Sequence, residues 1–251
     1  MGVLTASLRH LSLLGYLPRR LSTTAPATRT GISAAVAKSR LRKEFDPDRA
    51  VTIVSSVADS TSSTSARYAL ELTVRRLARS RRFSDVEALL QYRKCAVAGL
   101  TEPYVATVIL SYGTAGMLDH ALRTFDEVPV LISAPRSLVS FNAFLSACIR
   151  AKKPNRVPGL FAKLYEKHGI TPDVVSYGVL VSALCLTGKT DKAIETLKEM
   201  VTVKHLEPTT VIYTTLLDSL YKKGKSDEAE ALWKEMVGNG SAPRPILLLT
   251  M

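Results

Sequence analysis

The clearest group of side chains able to bind a charged ligand is a cluster of cations near the middle of the chain. It lies within one short segment and consists of Arg150, Lys152, Lys153 and Arg156. Cations gathered in a turn neutralise phosphate oxygens and carry no base-specific information. The cluster therefore predicts a contact with nucleic-acid phosphates, such as those of ribosomal RNA, and a solvated surface turn is the alternative.

Residue types that perform catalysis or hold metals are present but scattered. Metal-ligand spacing is absent from the four histidines, which are His10, His120, His168 and His205. The sequence contains no CxxC pair, and its three cysteines are Cys95, Cys148 and Cys185. Such isolated cysteines are typical of small core residues in a reducing compartment. Because P-loop, dinucleotide-binding and nucleophile-elbow motifs are also missing, we expect a binding protein without cofactor or metal, and not an enzyme.

The first 43 residues differ in composition from the rest of the chain. They contain eight cations and no acid, since the first acidic residue is Glu44. They also combine leucines at helical spacing with many Ser and Thr residues, which is typical of an organellar transit peptide, with a disordered basic arm as the alternative. The segment 19–23 (Arg-Arg-Leu-Ser-Thr) resembles the processing region of plant mitochondrial presequences. Residues 1–43 are therefore predicted to direct import into the mitochondrial matrix rather than the chloroplast, and much of the net charge of +12 belongs to this signal.

The second half of the chain repeats itself. The aromatic residues Phe141, Tyr177 and Tyr213 follow one another at intervals of 36, and a Gly-x-x-Asp-x-Ala element recurs at 116–121, 188–193 and 224–229. A repeat of this length buries its apolar face by stacking on its neighbours. The period predicts an all-α fold, an α-solenoid of stacked helix-turn-helix repeats.

Apolar residues at helical spacing predict two helices in each repeat. In the repeat that contains Tyr177, we expect Gly188 to end the first helix, and Thr190 or Asp191 to cap the second through a side-chain oxygen. The residues expected to form the core between neighbouring repeats are Tyr177, Leu197, Tyr213 and Trp233.

These elements resemble a known family. Val-Ser-Phe-Asn at 139–142, Val-Ser-Tyr at 175–177 and Gly-Ile-Thr-Pro-Asp at 169–173 are similar to plant organellar pentatricopeptide repeats of the plain, non-editing type. Tetratricopeptide repeats are a poorer match, because their Trp, Leu-Gly and Tyr pattern is absent. The resemblance covers about residues 66–244 and implies five repeats, which start near residues 66, 102, 138, 174 and 210. The flanking segments are predicted to be an N-terminal capping helix with a Ser/Thr-rich loop (44–65) and a short apolar tail (245–251).

The resemblance implies that the concave face of the array binds single-stranded organellar RNA, one base per repeat. In the family, a valine packs against the base, while the residue after the aromatic and the last residue of the repeat contact its edge. The corresponding residues are Val139, Asn142 and Asp173 in the third repeat, Val175, Gly178 and Thr209 in the fourth, and Val211, Thr214 and Arg244 in the fifth.

Only the pair Asn142/Asp173 resembles the combination with which the family recognises uridine. The Asn142 amide can donate to a pyrimidine carbonyl and accept from its ring N–H, while Asp173 orients the amide. The alternative is that Asn142 forms hydrogen bonds only within the array. The preceding repeat offers Ala106 and Ser137, a poor match, and the other two pairs also match poorly.

Two functions from different classes follow from the resemblance. The first is an RNA-binding factor that acts in the stability, processing or translation of mitochondrial transcripts. The second is a structural or assembly component of the mitochondrial ribosome, bound through shape, ribosomal RNA and protein contacts. The scarcity of base-contacting pairs favours the second, as does a looser resemblance of the Asp-Pro-Asp-Arg segment (46–49) and of Phe83-Ser84-Asp85 to small ribosome-associated members of the family.

We expect a monomeric array that is not bound to a membrane. The last repeat is not followed by a polar capping helix, which solenoids usually require. This observation predicts either a partner that covers the end of the array or a sequence that is truncated there.

Overall fold

The computed structural model of the chain describes residues 31–57, 64–96 and 100–241. Within these ranges the regular structure is helical, apart from one isolated bridge between Ile32 and Val57. The helices are α1 (Ala34–Lys43), α2 (Pro47–Ser55), α3 (Thr64–Arg79), α4 (Phe83–Ala96), α5 (Glu102–Thr114), α6 (Leu118–Ile132), α7 (Leu138–Arg150), α8 (Val157–His168), α9 (Val174–Leu186), α10 (Thr190–Thr202), α11 (Thr210–Lys222) and α12 (Ser226–Gly238). None of them is long and apolar enough to cross a membrane.

The predicted repeats correspond to pairs of these helices. The first helix of each pair begins at Thr64, Glu102, Leu138, Val174 or Thr210, at or within two residues of the expected starts. The first 30 residues of the predicted import signal, most of the predicted Ser/Thr-rich loop and the apolar tail lie outside the described residues. Contacts divide the chain into two compact units, residues 1–104 and residues 105–251.

In the first unit, α1 and α2 both pack against α3, which in turn packs against α4. Ala37 and Leu41 of α1 are fully buried, and the Arg76 guanidinium of α3 donates a hydrogen bond to the Leu41 carbonyl oxygen at the end of α1. Helix α1 thus lies inside the segment predicted to be the import signal, and it packs in this unit of the full chain. A composition that is basic and free of acid does not distinguish a cleaved signal from a packed helix that follows it.

In the second unit the helix pairs stack in sequence. Helix α9 packs against its own partner α10 and against both neighbouring first helices, α7 and α11. An aromatic series crosses one of these boundaries, since the Phe161 ring centroid lies 5.9 Å from that of Phe141 and 5.4 Å from that of Tyr177. This contact between successive repeats is what the 36-residue period predicts.

Three of the four predicted core residues are buried. Tyr177, Leu197 and Tyr213 are at most 3% exposed, whereas Trp233 is only partly buried against the same cluster. Trp233 occupies in α12 the position that Leu197 occupies in α10, and α10 is covered by the following helix α11. No later helix covers α12 within the described residues, so Trp233 packs at the edge of this core and is less buried than the other three.

A residue with positive φ joins the two helices of each pair in the second unit. Gly116, Gly188 and Gly224 have φ values of 78°, 71° and 70°, which confirms the predicted helix stop at Gly188 and shows the same conformation at the equivalent position of two other repeats. Lys152 occupies the corresponding position between α7 and α8 with a φ of 58°. A residue with a side chain is strained in this region by about 1 kcal/mol relative to glycine.

The predicted cap of α10 is wrong. The N-cap position is Lys189, which makes no side-chain capping bond. The Thr190 hydroxyl is buried and pairs with the Ser219 hydroxyl of α11 at 2.6 Å, while Asp191 accepts a hydrogen bond from Lys225 Nζ at 2.7 Å. Because the turn at Gly188 leads directly into the helix, both side chains already lie in its first turn and contact the next repeat.

Candidate nucleic-acid interface

Three valines mark the same position on successive first helices of the second unit. Val139, Val175 and Val211 are the second residues of α7, α9 and α11, and they are 44%, 58% and 71% exposed. A β-branched side chain with this exposure offers an apolar surface to a planar ligand. The three predicted valine positions are therefore accessible.

Asn142 and Asp173 are in direct contact. Asn142 Nδ2 donates a hydrogen bond to Asp173 Oδ1 at 3.1 Å, and the Ser176 hydroxyl lies 2.6 Å from Asn142 Oδ1 and 2.8 Å from Asp173 Oδ1. The single hydroxyl proton of Ser176 serves one of these two oxygens at a time. These contacts connect α7 to the start of α9 and orient the Asn142 amide.

Asp173 also has a structural role, which the repeat pattern did not indicate. Its carboxylate accepts from the Ser176 backbone N–H at 2.8 Å, and its own N–H donates to the Ser176 hydroxyl, which forms a capping box at the start of α9. Burial raises the pKa of Asp173, but hydrogen bonds from Ser176 and Asn142 outweigh it and lower the pKa overall. Asp173 is thus held as a carboxylate. The three-residue spacing from Asp173 to Ser176 was the signal for this third member.

The Asn142 amide has capacity beyond these contacts. An amide nitrogen carries two protons and an amide oxygen two lone pairs, and the described residues use one of each. One donor and one acceptor remain, which is the combination that the carbonyl and the ring N–H of uracil require. The internal hydrogen bonds predicted as an alternative are present, and they are compatible with base recognition.

The other predicted positions lack such a pair. Gly178 has no side chain, and Thr209 makes no capping bond. The Thr214 hydroxyl is 2.9 Å from the Thr210 carbonyl oxygen of its own helix. In the preceding repeat, Ala106 is buried and Ser137 caps α7 by accepting from the Val139 N–H. Arg244 lies outside the described residues.

The predicted cation cluster lies at the other end of α7. Its members are all exposed. Arg150 is the last residue of α7, and the segment that joins α7 to α8 carries the others: Lys152, Lys153 and Arg156. Asn142 lies eight residues before Arg150, the last residue of α7, which is about 12 Å at 1.5 Å per residue. The structure therefore does not bring the two groups of predicted residues together.

The start of α8 has an unusual charge. Helices α6, α10 and α12 each have an acidic residue in the first turn, Asp119, Asp191 and Asp227, whereas α8 has none. Asn155 occupies the position 36 residues from Asp119 and from Asp191. Cations at a helix N-terminus oppose the helix dipole. This arrangement is unfavourable by itself and would be relieved by a bound anion.

No group of three His, Cys, Asp or Glu residues able to hold a metal occurs in the part of the chain that the structure describes. Burial raises the pKa of the Cys148 thiol to about 11. A thiol with this pKa is a poor nucleophile near neutral pH.

Family comparisons agree with the observed repeats. Residues 168–201 and 204–237 each match the family described as "PPR repeat", and residues 135–183 match "Pentatricopeptide repeat domain".

Curated relatives with this similarity are known from Arabidopsis thaliana. The chain is 48% identical over 181 residues to the small ribosomal subunit protein mL103, a match that covers 71% of this chain and 43% of that protein. It is also 48% identical to a mitochondrial pentatricopeptide repeat-containing protein, over 67% of this chain and 41% of the relative. A third relative, the small ribosomal subunit protein mS79, is 39% identical over 52% of this chain and 33% of that protein. The chain thus spans less than half the length of these relatives.

Solved structures show the same fold. The crystal structure of the pentatricopeptide repeat protein PPR10 from maize matches 94% of this chain and 33% of that chain, with a TM-score of 0.57 and 23% identity. PPR10 in complex with an 18-nucleotide psaJ RNA element matches with a TM-score of 0.55 and 18% identity, over 95% of this chain and 38% of that one. The predicted all-α repeat fold is confirmed.

Proposed function

Because the chain belongs to the pentatricopeptide repeat family, we propose that it is a mitochondrial RNA-binding protein that acts in gene expression. The observation that carries this proposal is the oriented Asn142 amide, which is fixed by Asp173 and Ser176 beside the exposed Val139. An apolar surface and a donor–acceptor pair are the two elements that recognition of one unstacked base requires. The 48% identity to mitochondrial and ribosomal relatives supports both the ligand class and the compartment.

A second candidate function is a role as a component of the mitochondrial ribosome. Two of the relatives described above are named as small ribosomal subunit proteins. One well-formed base-contacting pair and one basic turn suit a fixed position on folded RNA better than a search among many transcripts. Crosslinking of the tagged protein in mitochondria separates the two functions, since reads would fall on ribosomal RNA in this case and on one messenger in the other.

We also propose that the described repeats bind RNA without catalysing a reaction on it. Base contacts and phosphate contacts are assigned to different ends of α7, so each can be removed without the other. Substitution of the base-contacting residues should change the base preference, whereas substitution of the turn should weaken all RNAs alike.

The proposed base contacts are tested by one variant that removes a base-contacting side chain and one that adds a second pair. Asn142→Ala should lower the preference for U-rich over A-rich oligonucleotides by roughly fivefold or more, because one base-edge contact is removed. Gly178→Asn with Thr209→Asp should raise that preference, since it builds a second pair in the next repeat. The new Cβ at position 178 would lie 3.5 Å from the Ile212 side chain, which is ordinary contact. Fluorescence anisotropy measures both, with Ser182→Ala of α9 as the control. Unchanged preference in both variants would exclude base recognition by these residues and favour docking to the ribosome.

The proposed phosphate contacts are tested by removing positive charge from the turn between α7 and α8. The triple variant Lys152→Gly, Lys153→Gln, Arg156→Gln should weaken every RNA and reduce the slope of log K against log salt by about 2 to 3. A control with the same loss of charge, Lys198→Gln, Lys222→Gln, Lys234→Gln, should leave the slope close to that of the parent.

Asn155→Asp tests the same turn through two opposite effects, one on stability and one on RNA binding. It should raise the melting temperature, because it supplies the acid that the other second helices carry, and at the same time weaken RNA binding. An equal effect of the control triple, or tighter binding after Asn155→Asp, would contradict a phosphate site at this turn.

The N-terminal segment is proposed to be an import signal that ends upstream of α1. Ser33 caps α1 by accepting from the Val36 N–H, so removal of the chain up to residue 43 would delete a helix packed in the first unit. We expect the mature protein isolated from mitochondria to begin between about residue 22 and Ser33, as determined by N-terminal sequencing. A start beyond Lys43, or an intact Met1 in the matrix, would refute this boundary.

A further inference from the structure

The first unit contains a cavity with an unusual lining. Its volume is about 340 Å³, within the size range of small-molecule sites. It lies between the end of α1 and α3, and its lining includes four arginines and two aromatic residues: Arg42, Arg75, Arg76, Arg79, Phe45 and Tyr68. These residues have no role in the repeat-to-repeat packing or in the base contacts described above.

The cavity has an excess of positive charge. No carboxylate belongs to its lining. Of its four guanidinium groups, only that of Arg75 has a short ion pair with another described residue, at 2.8 Å from Glu71. Arg76 is only 9% exposed, and among the described residues its Nη1 is buried without a hydrogen-bond partner. Burial lowers the pKa of Arg76, as does the nearby Arg79, while Glu44 raises it. Arg42, Arg75 and Arg79 are exposed, so the cost falls on Arg76, whose buried guanidinium is unfavourable near other cations unless an anion neutralises it.

Two rings lie beside these cations. Phe45 is 78% exposed, and the Arg76 guanidinium lies 5.6 Å from its ring centroid. Tyr68 has Lys38 and Arg42 at 5.1 Å and 5.8 Å from its centroid. An exposed aromatic ring backed by a guanidinium is a stacking surface for a nucleic-acid base.

We propose that this cavity binds one nucleotide, with its phosphate on Arg42, Arg76 and Arg79 and its base on Phe45. Guanidinium groups bind phosphate oxygens in a bidentate manner, and their planar form also suits a base edge. In the RNA-binding function proposed for this chain, on which this inference rests, the nucleotide is one unit of the bound RNA. A free mononucleotide has the same chemistry, and the experiment distinguishes the two sources.

The test compares matched variants of the full chain. Phe45→Ala and the pair Arg42→Gln, Arg79→Gln should each weaken a single-stranded RNA 10-mer by about tenfold or more. The controls are Tyr92→Ala, an exposed aromatic of α4, and the pair Arg40→Gln, Arg67→Gln, exposed cations of α1 and α3 outside the cavity. Phe45→Trp should retain binding and add a fluorescence signal that the ligand quenches. Circular dichroism verifies that each variant is folded.

The location is tested by crosslinking. A 10-mer that contains 4-thiouridine should, after irradiation, label the tryptic peptide Glu44–Arg49, which carries Phe45. Labelling of that peptide should disappear when an excess of AMP competes, if the cavity also accepts a free nucleotide. Binding of AMP without any binding of RNA assigns the cavity to mononucleotides.

The outcomes separate this inference from the proposed function. If Asn142→Ala and the turn variants alter RNA binding while Phe45→Ala and the arginine pair do not, the cavity is not a nucleotide site and the proposed function stands. If the controls outside the cavity weaken RNA as strongly as the cavity variants, the effect is one of net charge and the inference is overturned. If neither RNA nor AMP binds the parent protein, both proposals fail.

Discussion

Replacing Tyr213 by alanine should lower the free energy of unfolding by about 3–5 kcal/mol. The ring is fully buried in the cluster that joins the last two repeats of the second unit, and its removal leaves a cavity there. The hydroxyl accepts from Asn239 Nδ2 at 3.0 Å and lies 3.1 Å from Glu235 Oε1 of α12. Both the packing of α11 on α12 and two polar contacts are lost in this variant.

The measurement uses two probes of unfolding in urea. Circular dichroism reports all helices, whereas fluorescence of the sole tryptophan, Trp233, reports the pair α11–α12. Because each repeat contacts only its neighbours, the fluorescence midpoint of Tyr213→Ala should fall below the dichroism midpoint. Tyr213→Phe keeps the ring and should cost only about 1 kcal/mol. An alanine variant as stable as the phenylalanine variant would show that the register of α11 is wrong.

Gly113→Ala should destabilise the second unit by about 2 kcal/mol, although alanine is the better helix former. A Cβ at position 113 would lie 2.6 Å from Ala147 Cα and 2.7 Å from the Ala147 carbonyl oxygen. These are backbone atoms of α7, so the whole helix would have to move away from α5. Overpacking of this kind costs about 1–3 kcal/mol or more, which exceeds the roughly 1 kcal/mol gained in helix propensity.

A second glycine provides the matched control. Gly159 lies in α8 with an ordinary negative φ, and a Cβ added there meets nothing within 4 Å. Gly159→Ala should therefore raise the melting temperature, because only the propensity gain remains. Thermal unfolding followed by circular dichroism compares the two substitutions. Stabilisation by both would mean that α5 and α7 do not approach as closely as the structure shows.

The tyrosine hydroxyls and the glutamates beside them recur with the period of the repeats. Tyr177 and Tyr213 each place the hydroxyl next to a glutamate 22 residues later, Glu199 at 3.3 Å and Glu235 at 3.1 Å. Phe141 has no hydroxyl, and the residue 22 positions after it is Lys163. The sequence alone carries this correlation, since a hydroxyl and its acceptor share one period.

The site is less predictable than the fold. Aligning the repeats identifies Asn142 and Asp173 as equivalent to base-contacting positions, but it does not show that Asp173 also caps α9 or that Ser176 binds both. A capping role and a ligand role require the same acceptor atoms. Only their distances show that the two are compatible.

The sequence by itself determined the elements whose causes are local or periodic. The 36-residue spacing of aromatics specified helix pairs, and glycine at 116, 188 and 224 specified left-handed helix ends, because each depends on one turn or one repeat. The equivalent positions of Val139, Val175 and Val211 follow from the same 36-residue period.

The tertiary structure decided the features that depend on contact with a second helix from elsewhere in the chain. Thr190 pairs with Ser219 and does not cap its own helix, and Gly113 is required by the backbone of Ala147. Trp233 is only partly buried because no following helix covers α12 within the described residues, although it repeats the pattern of Leu197. Local sequence fixes which face of a helix is apolar, but burial is a property of the pair of surfaces that meet, and the position of the second surface is set by the packing of the whole stack.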